Sequence, residues 1–588
     1  MQDQSPLIAA HSKTVRASRR HVGSNPFQPA SPSVTSRARH FLVRQNLKVY
    51  KRFRRGRNCA FHTRLFHWHS HWRDQRYGPV LTVTPAAHEP QEQPLRQMKA
   101  ANACTSISSV RLPDVAITEA VPALPGGVIP AVAAPPHRQP VKIEVAHCRV
   151  SGVIGKQIGF VVWLPDAWNG RFFMGGGGGF VGSIQNQASL SLNLGYATAG
   201  TDTGHTSSSI FDPTWALNNL EGQLNFGHLA IHRTATVAKA IVRAYYGADP
   251  AYSYFLGCSN GGRQALMEAQ RYPEDFDGIV AAAPVASFTQ FAATCLKNAQ
   301  ATFPNPSALS ASVVTSENLT LLQAATLARC DVLDGVKDHV VDDPRACPFG
   351  VADLPTCPED RPGRECLTRA QRATIERIYA PASQQNLPGR PFGGEDDPSG
   401  QGWKQWIGGG SAPSLQWRVG VEFFRYFVFD DPSWDYSRYA LSGWERDTER
   451  IAPFLDATST DLSAFKARNG KLIIWHGWSD PAITALASVD NYTQVESKDL
   501  AVRSYFRLFM LPGVLHCGGG VGPAVVDWFG AIADWVERGL APERLIAAKV
   551  DDSGKTIRTR PVCPYPQRAV YTGQGSTDDA GNFVCRAP

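Results

Sequence analysis

The sequence has no long hydrophobic run. None of its 588 residues belongs to a stretch with the length and apolarity that a transmembrane helix requires, and no apolar segment typical of a secretory signal peptide is visible. Internal repeats are absent as well. We therefore expect no membrane partner. The hydrophobic content of 43% is ample for the cores of globular domains.

Acidic residues are scarce in the first hundred positions. Residues 1–100 hold 18 Lys and Arg against 4 Asp and Glu, whereas the remaining residues hold 41 against 47. The basic run at 48–57 (KVYKRFRRGR) raises nucleic-acid binding as an alternative function. Because no base-reading motif accompanies this run, we expect no nucleic-acid partner. We predict that 1–100 is a disordered or mis-annotated extension and that the true export signal has been lost.

Cysteine pairs of the Cys-x-x-Cys type are missing. The twelve cysteines are dispersed along the chain, which argues against the common cysteine-rich zinc sites. So many dispersed cysteines favour a disulfide-bonded protein of an oxidising compartment, either secreted or periplasmic. Their spacing alone leaves the pairing open.

One serine stands in a nucleophile-elbow pattern. The stretch 257–262 (GCSNGG) contains Gly-x-Ser-x-Gly around Ser259, after a strand predicted over 251–256 and before a helix predicted over 261–272. The glycines leave room for the sharp turn that presents the serine hydroxyl. The sequence therefore predicts Ser259 as a nucleophile.

An acid and a base follow in the order Ser, Asp, His, which is typical of α/β-hydrolases. Asp480 ends an apolar strand predicted over 471–480, and His516 follows a strand predicted over 505–511. Acids at the carboxyl ends of parallel strands line the sites of open α/β sheets. We predict that Asp480 orients His516, which activates Ser259.

Each of these assignments has a plainer alternative. Asp480 could be a turn residue, and His516 could be an ordinary loop histidine. Two other histidines, His205 and His476, compete for the role of the base.

A run of five glycines at 175–179 follows a strand-like segment at 171–174. No Gly-Lys-Ser or Gly-Lys-Thr follows it, so it is a poor phosphate loop. A glycine-rich loop at this place in α/β-hydrolases supplies N–H donors for the oxyanion of the tetrahedral intermediate. We predict the backbone N–H of Asn260 as one donor and that of Gly177 or Gly178 as the other.

Acidic side chains recur in the segment 331–343 (DVLDGVKDHVVDD). Its first three carboxylates, Asp331, Asp334 and Asp338, offer the oxygen ligands that Ca²⁺ prefers. The segment is not an EF-hand, because the twelve-residue spacing with a final glutamate is missing. A solvated acidic turn is the alternative.

Several blocks of the sequence resemble the family of tannases and feruloyl esterases, with which mono(2-hydroxyethyl) terephthalate hydrolase also groups. The resemblance covers roughly residues 100–588 and implies an α/β fold. It implies an α/β-hydrolase core at 105–287 and 467–588, with a lid domain at 288–466 inserted between nucleophile and acid. The blocks are WNGRFFMGGGGGFVG (168–182), GYATAGTDTGH (195–205), NFGHLAIHRTATVAKAIVRAYYG (225–247), YFLGCSNGGRQALMEAQRYPEDFDGIVAAAPV (254–285), CDVLDGVKDHVVDDPRAC (330–347), IIWHGWSDP (473–481) and HCGGG (516–520).

The resemblance also implies a disulfide set and a structural calcium site. A Cys258–Cys517 bridge would join the neighbours of the nucleophile and the base, while Cys59 and Cys295 remain unpaired. The other implied bridges are Cys104–Cys148, Cys330–Cys347, Cys357–Cys366 and Cys563–Cys585. The implied calcium ligands are the side chains of Asp331, Asp334 and Asp338 and the carbonyl groups of Val336 and Val340.

Taken together, the motifs and the resemblance predict a serine carboxylic ester hydrolase. Its expected substrates are small esters of phenolic acids, such as feruloyl or galloyl esters, cleaved through an acyl-enzyme without an organic cofactor. Aromatic residues of the lid, with Arg418 or Arg425, would contact the aromatic acid. A terephthalate-type hydrolase and an acyltransferase are the alternatives on the same triad, and a binding protein on a hydrolase scaffold is the non-enzymatic one.

Overall fold

The computed structural model describes residues 98–129, 141–184, 189–410 and 413–588. The predictions on the basic N-terminal segment and on Cys59 lie outside these residues, apart from the last positions of that segment. There, Met98 pairs with Trp168, and the N–H of Met98 donates to the carbonyl oxygen of Trp168 at 2.9 Å.

A nine-stranded sheet carries the fold, in the order β1-β2-β3-β5-β4-β6-β7-β8-β9. The first three strands run antiparallel to their neighbours, and β5, β4, β6, β7, β8 and β9 pair in parallel. Its strands are β1 (Val115–Ala123), β2 (His147–Ile154), β3 (Ile158–Pro165), β4 (Arg171–Gly175), β5 (Ala197–Thr201), β6 (Tyr252–Cys258), β7 (Gly278–Ala282), β8 (Lys471–Gly477) and β9 (Phe506–Leu511). Three two-stranded ribbons pair Val128–Ile129 with Val141–Lys142, Leu545–Val550 with Thr556–Val562, and Arg568–Tyr571 with Phe583–Arg586.

Helices cover both faces of the parallel part of the sheet, which explains the burial pattern of its strands. Every residue of β7 and of β8 is buried, whereas β1 alternates between half-buried and exposed positions. The seven longest α-helices are α1 (Ala230–Tyr246), α2 (Asn260–Arg271), α3 (Phe288–Thr302), α4 (Ser316–Cys330), α5 (Arg369–Tyr379), α6 (Leu486–Lys498) and α7 (Trp528–Arg538). Shorter α-helices span Leu220–Leu224, Trp403–Trp406, Leu415–Trp417, Trp444–Thr448, Ala452–Leu455 and Ser463–Ala467.

The predicted α/β-hydrolase fold is confirmed. Ser259, Asp480 and His516 lie after β6, β8 and β9, so the carboxyl ends of three parallel strands bring the predicted triad to one edge of the sheet. The described part of the segment 288–466, between nucleophile and acid, adds helices and loops but no strand of the sheet. The exact boundaries of core and lid stay a prediction.

Most aromatic residues of this inserted segment pack into one hydrophobic cluster, which also contains residues from outside the insertion such as Phe180 and Phe226. Phe423, Phe424 and Phe427 are fully buried beside Phe288 of α3, the first helix of the insertion. No helix in the described ranges has the length and apolarity to cross a membrane.

Among the described residues there are five disulfides, which are the five pairs that the resemblance implies. Cys295 is a buried free thiol, and burial raises its pKa. The bridges are Cys104–Cys148, Cys258–Cys517, Cys330–Cys347, Cys357–Cys366 and Cys563–Cys585.

Candidate active site

Ser259 stands at a sharp turn between β6 and α2. Its backbone has φ +64° and ψ −121°, and its side chain does not cap the helix that follows. A side chain is excluded at Gly257, where a Cβ would lie 2.3 Å from the carbonyl oxygen of Gly261, and at Gly262, where it would lie 2.5 Å from that of Ala282. The turn therefore requires glycine on both sides of Ser259 and leaves the hydroxyl available for a substrate.

Asp480 and His516 form a direct pair. The Nδ1 atom of His516 lies 2.8 Å from Oδ2 of Asp480, and the carboxylate is wholly buried. The N–H groups of Ala482 and Ile483 donate to the other oxygen, Oδ1, at 2.8 and 2.9 Å. Burial alone raises the pKa of Asp480, but the charge and hydrogen bonds of His516 and His476 outweigh burial and hold this pKa well below its usual range.

The Cys258–Cys517 disulfide links the chain segment of Ser259 to that of His516. It joins the residue before Ser259 to the residue after His516, with the two Cα atoms 5.9 Å apart. Within the described residues, Ser259 Oγ makes no hydrogen bond to the His516 ring. The disulfide is therefore a covalent link between the two chain segments that carry these residues.

The two competing histidines differ in their relation to this site. The ring of His205 stacks on Trp215 with centroids 3.7 Å apart, and its Nε2 lies 3.0 Å from the carbonyl oxygen of Phe180. Burial lowers the pKa of His205 to about 4. His476, in contrast, contacts the same carboxylate as His516, with its Nε2 3.0 Å from Asp480 Oδ2.

The predicted oxyanion donors have different surroundings. The N–H of Gly177 donates to Oε1 of Gln264 at 3.0 Å, so it would have to leave this partner to bind a substrate oxygen. At Gly178, a Cβ would meet no atom within 4 Å, which indicates open space beside this residue. The N–H of Asn260 belongs to the first turn of α2, where a helix has no acceptor of its own. These surroundings favour Asn260 over Gly177 as an oxyanion donor.

One ring of the inserted segment, Trp406, lies next to His516, and Phe211 from outside the insertion lies beyond it. The Trp406 ring meets the His516 ring edge-on at 5.0 Å, and Phe211 lies 6.5 Å from Trp406. Phe211 also lines a cavity of about 330 Å³. The other lining residues are Ser209, Asp212, Pro213, Pro413, Trp417, Arg418 and Glu422.

The two candidate arginines of the lid are not equivalent. Arg418 is exposed and lines the cavity. Arg425 donates to Glu422 at 2.9 Å and to the carbonyl oxygen of Trp434 at 3.2 Å, which occupies its guanidinium. Of the two, the geometry leaves Arg418 for a ligand.

One residue that supports the acid was not predicted. Arg390 in the insertion is half-buried and donates to the carbonyl oxygen of Asp480 at 2.6 Å, and desolvation lowers its pKa. No sequence signal marks this contact, because the two residues are 90 positions apart and meet only through the fold of the insertion.

The predicted calcium residues converge on one loop after α4. The N–H of Asp338 donates to Asp331 Oδ1 at 3.0 Å, and that of Val336 donates to Asp334 Oδ1 at 3.0 Å. The N–H of Val340 donates to Asp338 Oδ1 at 3.2 Å. The loop therefore bends its carboxylates inward.

The charges of this loop are unbalanced. Burial raises the pKa of Asp334, and the neighbouring carboxylate of Asp338 adds to the effect. Burial, and after it the charge of Asp334, also raises the pKa of Asp342 to about 7. The Oδ2 atom of Asp342 is buried and has no hydrogen-bond partner. Arg558 and Arg560 contact Asp338 Oδ2 from the C-terminal ribbon. The orphaned oxygen thus belongs to Asp342, Asp338 is paired with two arginines, and the carboxylates of the three predicted ligands do not all lie within 4.8 Å of one another in this conformation.

A second cluster of possible metal ligands lies between α1 and α2. The ligand atoms of His232, Glu268 and Asp275 lie within 4.8 Å of one another, the one such triplet in the part of the chain that is described. His232 Nδ1 is 2.7 Å from Asp275 Oδ2, and the Lys239 ammonium donates to the carbonyl oxygen of Asp275. His232 and Asp275 therefore form a polar pair, and the buried Glu268 carboxyl group lies beside it without a hydrogen-bond partner.

Comparison with known proteins supports the ester hydrolase activity that the sequence predicts. The family described as "Tannase and feruloyl esterase" matches residues 143–586. The chain is 36% identical over 544 residues to an uncharacterised esterase of Xanthomonas campestris, covering 84% of this chain and 92% of the relative. It is 33% identical over 516 residues to mono(2-hydroxyethyl) terephthalate hydrolase of Piscinibacter sakaiensis, covering 75% of this chain and 85% of the relative.

The fold is similar to that of a solved esterase. The crystal structure of feruloyl esterase B from Aspergillus oryzae matches with a TM-score of 0.72 at 25% identity, covering 82% of this chain and 99% of that one. The chain therefore belongs to the tannase and feruloyl esterase family and is a carboxylic ester hydrolase.

Proposed function

We propose that Ser259, His516 and Asp480 hydrolyse an aromatic ester through an acyl-enzyme. The observation that carries this proposal is the Asp480–His516 pair at 2.8 Å, held beside Ser259 by the Cys258–Cys517 bridge. His516 takes the proton of the Ser259 hydroxyl as the oxygen attacks the ester carbonyl, and then gives that proton to the leaving alcohol. Water activated by His516 releases the acid.

The oxyanion of each tetrahedral intermediate would be held by two backbone N–H groups. Asn260 supplies one from the positive end of α2. A backbone N–H of the glycine run, that of Gly177 or Gly178, would supply the other, and the Gly177 N–H would first have to leave Gln264.

The acid moiety of the substrate would be an aromatic ring with a polar substituent. Trp406 and Phe211 offer ring faces between His516 and the cavity, and Arg418 lines the cavity wall. A guanidinium binds a carboxylate or a phenol oxygen. Feruloyl and galloyl esters are the proposed substrates, and mono(2-hydroxyethyl) terephthalate is the second candidate, because a relative of this chain is named for it.

We also propose a structural Ca²⁺ on the loop after α4. The side chains of Asp331, Asp334 and Asp338 and the carbonyl groups of Val336 and Val340 would hold it, and its charge would offset the crowded carboxylates. The cation would stabilise the fold of the insertion and take no part in the ester hydrolysis. The five disulfides support work in an oxidising compartment, secreted or periplasmic.

The experiment compares the full chain with Ser259→Ala, both produced in an oxidising compartment, on methyl ferulate, methyl gallate and mono(2-hydroxyethyl) terephthalate. We expect turnover of at least one ester, which falls at least about 10⁴-fold in Ser259→Ala. Product partitioning toward an added alcohol would assign the acyltransferase alternative. Equal turnover by the variant would refute Ser259 as the nucleophile.

A further inference from the structure

His476 occupies a place that the proposed triad does not use. Its ring is completely buried after the apolar part of β8, and both nitrogens have partners. Nε2 lies 3.0 Å from Asp480 Oδ2, and Nδ1 lies 2.8 Å from the hydroxyl of Ser488 in the first turn of α6. Space filling alone does not explain a buried histidine whose two ring nitrogens both have hydrogen-bond partners.

The two histidines share one oxygen of the acid. His516 Nδ1 and His476 Nε2 both approach Asp480 Oδ2, at 2.8 and 3.0 Å. Oδ1 already accepts the N–H groups of Ala482 and Ile483. An ionised carboxylate has about four acceptor positions and donates nothing, so both rings must donate and the carboxylate is saturated.

Ser488 selects the ring form that this arrangement requires. In a neutral imidazole, one nitrogen donates and the other accepts. The Ser488 hydroxyl can donate to Nδ1, which leaves the proton on Nε2, facing Asp480. The other charged group against this acid is Arg390, whose guanidinium donates to the Asp480 carbonyl oxygen.

We propose that His476 is a positioning residue that fixes the Asp480 carboxylate and shares its negative charge with His516. This inference rests on the proposed function of the triad. One donor holds the carboxylate in the orientation that His516 needs. The same donor draws part of the negative charge away from His516, so the base is less strongly held in its protonated form.

The test replaces His476 in two ways. His476→Leu keeps bulk but removes the donor, and His476→Gln keeps an N–H₂ donor. For His476→Leu we expect kcat to fall about ten- to a hundredfold with little change in KM, since a hydrogen bond to a charged group is lost. The acid limb of the kcat/KM profile should move to higher pH. His476→Gln should recover most of the loss in kcat and most of the shift of the acid limb. Ser488→Ala should lower kcat slightly and move the acid limb slightly to higher pH.

The matched control is His228→Gln, which changes a half-buried ring bonded to Tyr272 and distant in sequence from the acid. If His476→Leu lowers the melting temperature but leaves kcat and the acid limb unchanged, His476 is merely structural and the proposal is overturned.

A second measurement does not depend on turnover. Histidine-selective isotope labelling and NMR follow the titration of the His516 ring, assigned by its loss in His516→Gln. A midpoint that rises in His476→Leu supports the proposal, and an unchanged midpoint overturns it. If the unmodified chain hydrolyses no ester and a fluorophosphonate fails to label Ser259, the proposed function fails, while the NMR titration still decides the role of His476.

Discussion

A single buried carboxyl group on the nucleophile helix makes stability depend on pH. Glu268 lies on α2 with only 1% of its surface exposed, and neither of its carboxylate oxygens has a hydrogen-bond partner. Burial raises the pKa of Glu268 well above its usual value, and the nearby Asp275 raises it further. The folded protein therefore retains a proton at Glu268 that the unfolded chain gives up.

We predict that Glu268→Gln removes part of this pH dependence. In the wild type, the contribution of protonated Glu268 to the free energy of unfolding is fully present below the ordinary pKa of a glutamate. It is lost as pH rises towards the raised pKa of Glu268 in the folded state. Across that window its free energy of unfolding should fall relative to Glu268→Gln by up to about 1.4 kcal/mol per pH unit. Urea unfolding from pH 4 to pH 8 measures this difference.

The control for this prediction is Glu449→Gln at an exposed position. Its unfolding curve should run parallel to that of the wild type at every pH. Parallel curves for Glu268→Gln as well would contradict the prediction.

At the same scale, the sequence predicts the residues of the proposed triad better than the residues around them. Ser259, Asp480 and His516 each follow a strand and stand beside a turn, so pattern and chain order identify them. The pairing of His476 with Asp480 depends on how the chain turns after β8, which no pattern encodes. Trp406 lies in an aromatic segment in which most rings pack as core, and only the fold shows that this one meets His516.

The acidic loop after α4 is an element whose stability should depend on a cation. If the proposed Ca²⁺ is bound, its removal takes positive charge away from the buried carboxyl groups of Asp334 and Asp342. We predict that chelation with EDTA lowers the melting temperature and that Ca²⁺ restores it. At a hundredfold excess over Kd, bound Ca²⁺ stabilises by about 2.7 kcal/mol. Affinity should fall at acid pH, as Asp334 and Asp342 take up protons.

Two variants separate this site from general charge effects. Asp334→Asn should abolish the stabilisation by Ca²⁺, whereas the exposed Asp552→Asn should keep it. Calorimetric titration of EDTA-treated protein measures both. If the wild type binds no Ca²⁺ in that titration, the loop is an ordinary acidic turn.

The secondary structure around the site follows closely from the sequence. The strand predicted over 251–256 is observed as Tyr252–Cys258, and the helix predicted over 261–272 as Asn260–Arg271. Apolar runs and the following breakers set these bounds. The partner of the Gly177 N–H could not be anticipated, because Gln264 reaches it from the next helix and across the elbow.

At the scale of the whole molecule, one disulfide closes the catalytic domain across the insertion. The Cys258–Cys517 bridge spans 259 positions, whereas Cys357–Cys366 spans 9 within the insertion. The bridge therefore confines the unfolded chain far more than the short one does. It also joins the carboxyl end of β6 to the loop after β9, which are separated by β7 and β8 in the sheet.

We predict that the double variant Cys258→Ala/Cys517→Ala loses both stability and activity. Because the bridge closes a much longer loop, this double variant should lose about 3 kcal/mol more of its free energy of unfolding than Cys357→Ala/Cys366→Ala does. Because the bridge keeps Ser259 beside His516, kcat should also fall at temperatures where the variant is still folded, while the control keeps its kcat. Denaturant unfolding and steady-state kinetics on one preparation separate the two effects. If the Cys258→Ala/Cys517→Ala variant is less stable but turns over at the wild-type rate, the fold alone aligns the triad, and the bridge serves stability only.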